Sequence, residues 1–146
     1  MKKKVTFLML TLVTLVTSIS FISCNKDDEP TITENYYLQL TTVETNLVNA
    51  NTGESLAAAL RDAFLADPQF DSSGKFSIGK TTKENAIDAF NQSIENFRKA
   101  LNDVYAGKEL LPENGYVVYN FVLQNQSGTK VKSASLRVTN SGATTN

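Results

Sequence analysis

The sequence predicts an α+β domain, a two-layer sandwich in which two helices pack on one face of a mainly antiparallel sheet of about three strands. Apolar and polar residues alternate near both ends of the chain, as in strands with one buried face. Two amphipathic helical patterns lie between these runs, which gives the order strand, helix, helix, strand, strand. The 146 residues allow one such domain, placed at residues 35–140.

The first strand and the first helix occupy the first half of this domain. Tyr36–Leu47 is rich in Tyr, Leu, Thr and Val, residues typical of strands. Glu54–Ala66 carries apolar residues every three or four positions, and Asp67-Pro68 is expected to end this helix. The short run Lys75–Ile78 is compatible with a strand, but the predicted sheet does not include it.

The second helix has the strongest local signal. Thr81 and Glu84 have the spacing of a capping box, and Gly107 supplies a C-terminal stop. Between them, steps of three and four residues separate Ile87, Phe90, Ile94, Phe97, Leu101 and Val104. Such a stripe suits a coiled-coil seam or a core, and we favour the core because a small domain needs these side chains itself.

Two alternating runs at residues 116–124 and 131–139 predict a β-hairpin around the loop 125–129. The following residues 141–146 are small and polar, so we expect a disordered tail. The predicted core comprises Leu38, Leu40, Leu56, Leu60, Phe64, Phe90, Ile94, Phe97, Tyr119, Phe121, Leu136 and Val138.

The other face of the sheet is the candidate recognition surface. It is expected to carry Tyr37, Thr41, Val43, Tyr116, Val118, Val122, Ser133, Ser135 and Arg137. Of these, Tyr37, Tyr116, Val118 and Arg137 are the candidate binding residues, because Tyr and Arg are frequent at interfaces and Tyr stacks on sugars. The alternative is structural, since Thr, Val and Tyr also suit any exposed strand.

Composition excludes several classes of chemistry. The chain has no histidine and one cysteine, so Cys/His metal sites, catalytic pairs that need histidine and internal disulfides are ruled out. Residues 69–80 fail as an EF-hand loop, because Lys80 would replace the bidentate acid. We therefore predict no metal and no cofactor. Basic residues are dispersed, which also argues against a nucleic-acid partner.

Catalysis by carboxylates alone is the remaining enzymatic alternative, as in glycosidases. The candidate acids are Asp62, Asp71, Asp88, Asp103 and Glu109. Their spacing brings no two of them together, and charged residues at such positions commonly form a solvated helix face. We therefore expect a protein that is not an enzyme.

Residues 1–23 have the layout of a secretory signal peptide. Lys2–Lys4 precede the apolar run Val5–Ile22, and the small residue Ser23 precedes Cys24. Because the apolar run is long enough to approach a membrane span, an uncleaved anchor is the alternative.

Phe21-Ile-Ser-Cys24 resembles a bacterial lipobox, although Phe21 departs from the aliphatic residue usual at its position. The residues Lys26, Asp27, Asp28 and Glu29 resemble the export signal of surface lipoproteins of the Bacteroidota. The resemblance implies that Cys24 carries lipid, including palmitate-type acyl chains, and that residues 24–34 form an acidic tether. It covers only the first thirty residues.

These observations predict a lipid-anchored protein of the outer membrane that faces the cell exterior, with the periplasmic face as the alternative. Its expected role is non-catalytic binding or scaffolding, with a protein or glycan as ligand. The alternative role is a periplasmic inhibitor or immunity-type lipoprotein, and a carboxylate-based hydrolase is disfavoured.

Overall fold

The computed structural model describes residues 32–66 and 70–146. The predicted signal peptide, Cys24, the export signal and the helix stop at Asp67-Pro68 lie outside these residues. The elements, in chain order, are β1 (Glu34–Thr45), α1 (Ala57–Phe64), β2 (Lys75–Thr81), α2 (Lys83–Tyr105), β3 (Val117–Asn125), β4 (Lys130–Thr139) and β5 (Gly142–Thr145).

The sheet has five antiparallel strands in the order β2-β1-β3-β4-β5 and curls into a half-barrel. The α+β class and the β3–β4 hairpin are confirmed. The three-stranded sheet with two helices on one face is wrong in strand number and in arrangement. The curled sheet wraps around α2, which contacts all five strands, whereas α1 lies mainly against β1.

The two additional strands flank the predicted sheet. β2 pairs with β1 and extends the short run at residues 75–78 to Thr81. β5 lies in the segment that was expected to be disordered. Ala143 is only 2% exposed there, and its N–H donates to Asn102 Oδ1 of α2 at 3.1 Å. Burial and this hydrogen bond order a segment that has no large apolar residue.

Both helices begin later than the sequence predicts. Thr82 caps α2, since its Oγ1 accepts a hydrogen bond from the Asn85 N–H at 3.2 Å. Thr81 instead pairs with Glu34 as the last residue of β2. Residues 54–56 are held outside α1 because Ser55 forms an antiparallel bridge with Val48.

The core is centred on an aromatic cluster between α1, α2 and β3. The Phe64 ring lies 5.5 Å from Phe97, 4.9 Å from Tyr119 and 5.7 Å from Phe121, measured between ring centroids. All four side chains are buried, and each contributes about 1.5–3 kcal/mol by leaving water. The stripe of α2 is therefore a core stripe, as predicted.

A β-bulge in β1 changes which side chains face the core. Leu40 pairs with Phe121 and Thr42 pairs with Asn120, so Thr41 is the extra residue. Since one residue of slip exchanges the two faces of a strand, Val43 turns inward opposite Tyr119 and is 9% exposed. The expectation that Val43 lies on the outer face is wrong for this reason.

Candidate functional site

The middle of the outer sheet face is a closed hydrogen-bond network around Asn120. Its Nδ2 donates to Thr42 Oγ1 at 2.9 Å and to Glu44 Oε2 at 2.8 Å, while its Oδ1 accepts from the Ser135 hydroxyl. These bonds connect β1, β3 and β4. Because the side-chain groups of Asn120 already have partners, this region is suited to stabilising the sheet rather than to binding a ligand.

A polar depression of about 490 Å³ lies at the end of the sheet where β1 finishes and β3 begins. It is formed by the loop before β3, the second half of β4 and the β4–β5 turn. Its lining consists of Asn114, Gly115, Tyr116, Arg137, Thr139, Asn140 and Ser141. We refer to it as the Arg137 depression.

Arg137 and Tyr116 are stacked in this depression. The guanidinium carbon Cζ lies 4.3 Å from the centroid of the Tyr116 ring, within the range of a cation–π contact. Val118 pairs across the strands with Arg137 but is only 8% exposed. Its side chain therefore supports the site without offering contact area to a ligand.

Two asparagines hold the loops that surround the Arg137 depression. Asn46 Oδ1 accepts from the Tyr116 N–H at 2.9 Å, and its Nδ2 donates to the Asn114 carbonyl at 2.9 Å. Asn140 binds both main-chain groups of Leu111, with distances of 2.9 and 2.8 Å. Fixing the loops before a ligand arrives reduces the entropy cost of binding.

The Arg137 depression offers hydrogen-bond donors from Arg137, Asn114 and Ser141. Within the described residues, no carboxylate lies within 4.0 Å of the Arg137 guanidinium. Among residues 32–66 and 70–146, the Arg137 guanidinium, the Ser141 hydroxyl and the Asn114 side chain have no hydrogen-bond partner, in contrast to the Asn140 side chain. Together they present donors to an anionic or hydroxylated ligand.

Tyr37 is separated from the other three predicted binding residues. It pairs with Gln124 and Ser77 near the opposite end of the sheet, where the Lys75 Nζ lies 5.8 Å from its ring centroid. Gln124 and Tyr116 are eight residues apart, which corresponds to about 26 Å along a strand. Tyr116, Val118 and Arg137 are thus brought together, whereas Tyr37 belongs to a different region.

Asp71, one of the candidate catalytic acids, caps a turn. Its Oδ1 accepts from the Ser73 and Lys75 N–H groups at 2.8 and 2.9 Å. The hydrogen bonds from Lys75 and from the Ser73 hydroxyl hold the pKa of Asp71 below its usual value. In the part of the chain that the structure describes, no three His, Cys, Asp or Glu side chains form a group that could hold a metal ion.

Comparison with models of protein families, with curated proteins and with solved structures finds no match to this chain. Among residues 32–66 and 70–146, no helix combines the length and the apolar character needed to cross a bilayer.

Sequence reasoning did not find the polar residues that complete the Arg137 depression. Asn46, Asn114, Thr139, Asn140 and Ser141 lie in turns or at a strand end, where such residues are common for local reasons alone. The only signal was that Asn114 stands in a predicted turn and Asn140 directly follows a predicted strand, whereas Asn46 falls within the predicted first strand. Without knowledge of the strand order, nothing places these loops at one end of the molecule.

Proposed function

We propose that this chain is an envelope lipoprotein, held to the outer membrane by acyl chains on Cys24, and that it binds a ligand without catalysis. The sequence around Cys24 supports the anchor, because an apolar run, a small residue and a cysteine precede the charged residues Lys26–Glu29. Several acyl chains on one residue hold a protein firmly to a bilayer.

The observation that carries the binding role is the position of the Arg137 depression relative to Glu34, where the proposed tether ends. The tether enters the domain at Glu34, the first residue of β1, and the depression lies beyond Thr45, its last residue. Twelve strand residues span about 40 Å. Glu34, where the proposed tether ends, and the depression therefore lie at opposite ends of the sheet, which would leave the depression accessible on a protein anchored through Cys24.

The anchor is tested by replacing Cys24 with Ser in the bacterial host. We expect the variant to move from the membrane fraction to the soluble fraction and to lose incorporation of labelled palmitate. Ser20→Ala, in the same leader, is the matched control and should leave both properties unchanged. Membrane association that survives Cys24→Ser would instead support an uncleaved apolar helix.

The side of the membrane is tested by adding protease to intact cells. Surface exposure predicts that external protease removes the domain, and that replacing Asp27, Asp28 and Glu29 with Ala protects it by retaining the protein inside. Protection of the unmodified protein would favour the periplasmic inhibitor or immunity-type role. A cytosolic reporter protein controls for lysis.

A further inference from the structure

We propose that the Arg137 depression binds a saccharide that carries a carboxylate, such as a uronic acid residue in a short glycan, with the carboxylate on Arg137. This inference rests on the proposed binding role and names the chemical class of the ligand.

The stacked Arg137 is suited to a carboxylate. A guanidinium presents N–H groups in a rigid fork that matches the two oxygens of a carboxylate. Contact with the Tyr116 ring restricts the side chain before binding, so less conformational entropy is lost on association. Among the described residues Arg137 has no competing carboxylate partner within 4.0 Å.

The other groups in the depression are suited to sugar hydroxyls. Asn114 and Ser141 offer an amide and a hydroxyl, each able to donate and to accept hydrogen bonds. The volume of about 490 Å³ falls within the range of small-molecule sites. Tyr116 is the one aromatic residue in its lining and its ring is covered by Arg137, so the depression offers little apolar surface to a hydrophobic ligand.

A peptide carboxylate fits this site less well. Peptides commonly bind by adding a strand to a free sheet edge, with pockets for alternate side chains. The depression includes part of β4, which is paired with β3 on one side and with β5 on the other. In the described part of the chain, β4 therefore offers no free strand edge at the depression.

The charges near Arg137 favour a ligand with few negative charges. Glu44 lies two strands away in the same cross-strand row, which corresponds to about 10 Å. Glu113 directly precedes the lining residue Asn114. These carboxylates would repel a polyanion, whereas one carboxylate seated on Arg137 would be attracted more strongly than it is repelled.

The test uses the full lipidated chain in detergent micelles and isothermal titration calorimetry. The probes are the methyl glycoside of galacturonic acid, which carries one carboxylate, the neutral methyl ester of that glycoside and a short peptide with a free C-terminal carboxylate. We expect saturable binding of the acid and binding of the ester that is about 10- to 100-fold weaker, because a hydrogen-bonded charge pair is lost. The peptide should bind no better than the ester.

Variants test the role of Arg137 directly. Arg137→Met should weaken galacturonate binding by about 10- to 100-fold, as the ester does. The affinity of Arg137→Lys should lie between that of Arg137→Met and that of the unchanged protein. The matched control is Lys75→Met, which removes the cation from the other stacked pair on this face, at Tyr37. All variants should melt close to the unchanged protein, because both cations lie on the surface.

Three results would overturn the proposal: no saturable binding of galacturonate, equal binding of acid and ester, or equal binding by Arg137→Met in a folded protein. Peptide binding as tight as that of galacturonate would overturn the saccharide class. Membrane fractionation of the cells before detergent extraction keeps the two hypotheses separate. Loss of the ligand hypothesis with intact anchoring leaves the lipoprotein proposal in place.

Discussion

The two edges of the sheet are protected in different ways. At the β5 edge, α2 provides the protection: Asn102 Oδ1 accepts from the Ala143 N–H, and Arg98 Nη1 donates to the Ala143 carbonyl at 3.4 Å. At the β2 edge, a local turn covers only the first residues, where Phe70 forms an antiparallel bridge with Phe76. Beyond Phe76, no other described segment pairs with this edge.

This difference shows how a short polar strand can be stable. Edge strands expose unpaired main-chain groups, and proteins often cover them with a helix or a loop. β5 has four residues and no large side chain, so its order depends on contacts with α2 that are distant in sequence. β2 has buried phenylalanine and isoleucine side chains of its own and needs less help.

The largest effect is expected when the close contact between β5 and α2 is blocked. A Cβ on Gly142 would lie 2.0 Å from Asn102 Oδ1, and the φ of Gly142 is +124°. Gly142→Ala should cost about 1–3 kcal/mol for the strained backbone and about 1 kcal/mol more for the displaced hydrogen bond. The free energy of unfolding in urea measures the change.

Gly79→Ala in β2 is the matched control for this prediction. Gly79 also has a positive φ, of +106°, but nothing lies within 4 Å of a Cβ added there. Gly79→Ala should therefore lower the free energy of unfolding only by the cost of the backbone strain, about 1–3 kcal/mol. Equal destabilisation by the two substitutions would mean that the contact with Asn102 contributes nothing to the stability of the β5 edge.

Loss of the Asn102 side chain should have the next largest effect. Asn102→Ala leaves the buried Ala143 N–H without its acceptor, which costs about 1–3 kcal/mol. Hydrogen exchange at Ala143 should accelerate, whereas exchange in β2 should not change. Asn102→Asp keeps an oxygen acceptor and should retain most of the protection. Unchanged exchange in Asn102→Ala would contradict the role of α2 in ordering β5.

The sequence could predict the elements whose structure is determined by local patterns. It could not predict the elements whose structure depends on contacts between residues that are far apart in the chain. The stripe of α2 and the alternation in β3 and β4 were sufficient to place these elements and their buried residues. β5 could not be found, because Gly142 and Ala143 are ordered by Asn102, forty residues away in the chain. The bulge at Thr41 was also invisible, since the pairing with β3 determines it.

The candidate site was predictable only in part, for the same reason. The outer-face positions of Tyr116, Val118 and Arg137 follow from alternation along β3 and β4. The separation of Tyr37 follows from the antiparallel register, which periodicity does not report. The asparagines that hold the surrounding loops act through main-chain groups far along the chain, so their residue type alone gave no sign of this role.

The smallest effects concern pH, and each edge has its own carboxylate. Hydrogen bonds from Lys75 and Ser73 lower the pKa of Asp71 beside β2, and a hydrogen bond from Arg98 lowers the pKa of Glu95 beside β5. A carboxyl group with a lowered pKa stabilises the fold when ionised. This stabilisation is present above the usual carboxylate pKa and is lost as the pH falls through the lowered value.

The free energy of unfolding in urea should therefore decrease as the pH falls from about 6 to about 3. Single substitutions should show how much of this decrease comes from each edge. Asp71→Asn should reduce the pH dependence of the amide protection factors in β2, and Glu95→Gln should reduce that of the protection factors in β5. Asp71 is exposed to solvent and the Glu95 side chain is 43% exposed, so solvent screening keeps the effects small. If either substitution changed the pH dependence of the protection factors equally in β2 and β5, the assignment of Asp71 to the β2 edge and of Glu95 to the β5 edge would be wrong.

The position of β1 has a mechanical consequence for an anchored protein that holds a ligand. If Cys24 is the anchor and Arg137 holds the ligand, as proposed, a pulling force would pass from β1 through β3 to β4. The hydrogen bonds of both ladders lie across the direction of pull, so they would be loaded together in shear rather than broken one after another. A domain connected in this way would resist unfolding best when the force acts along the line from the proposed anchor to the bound ligand.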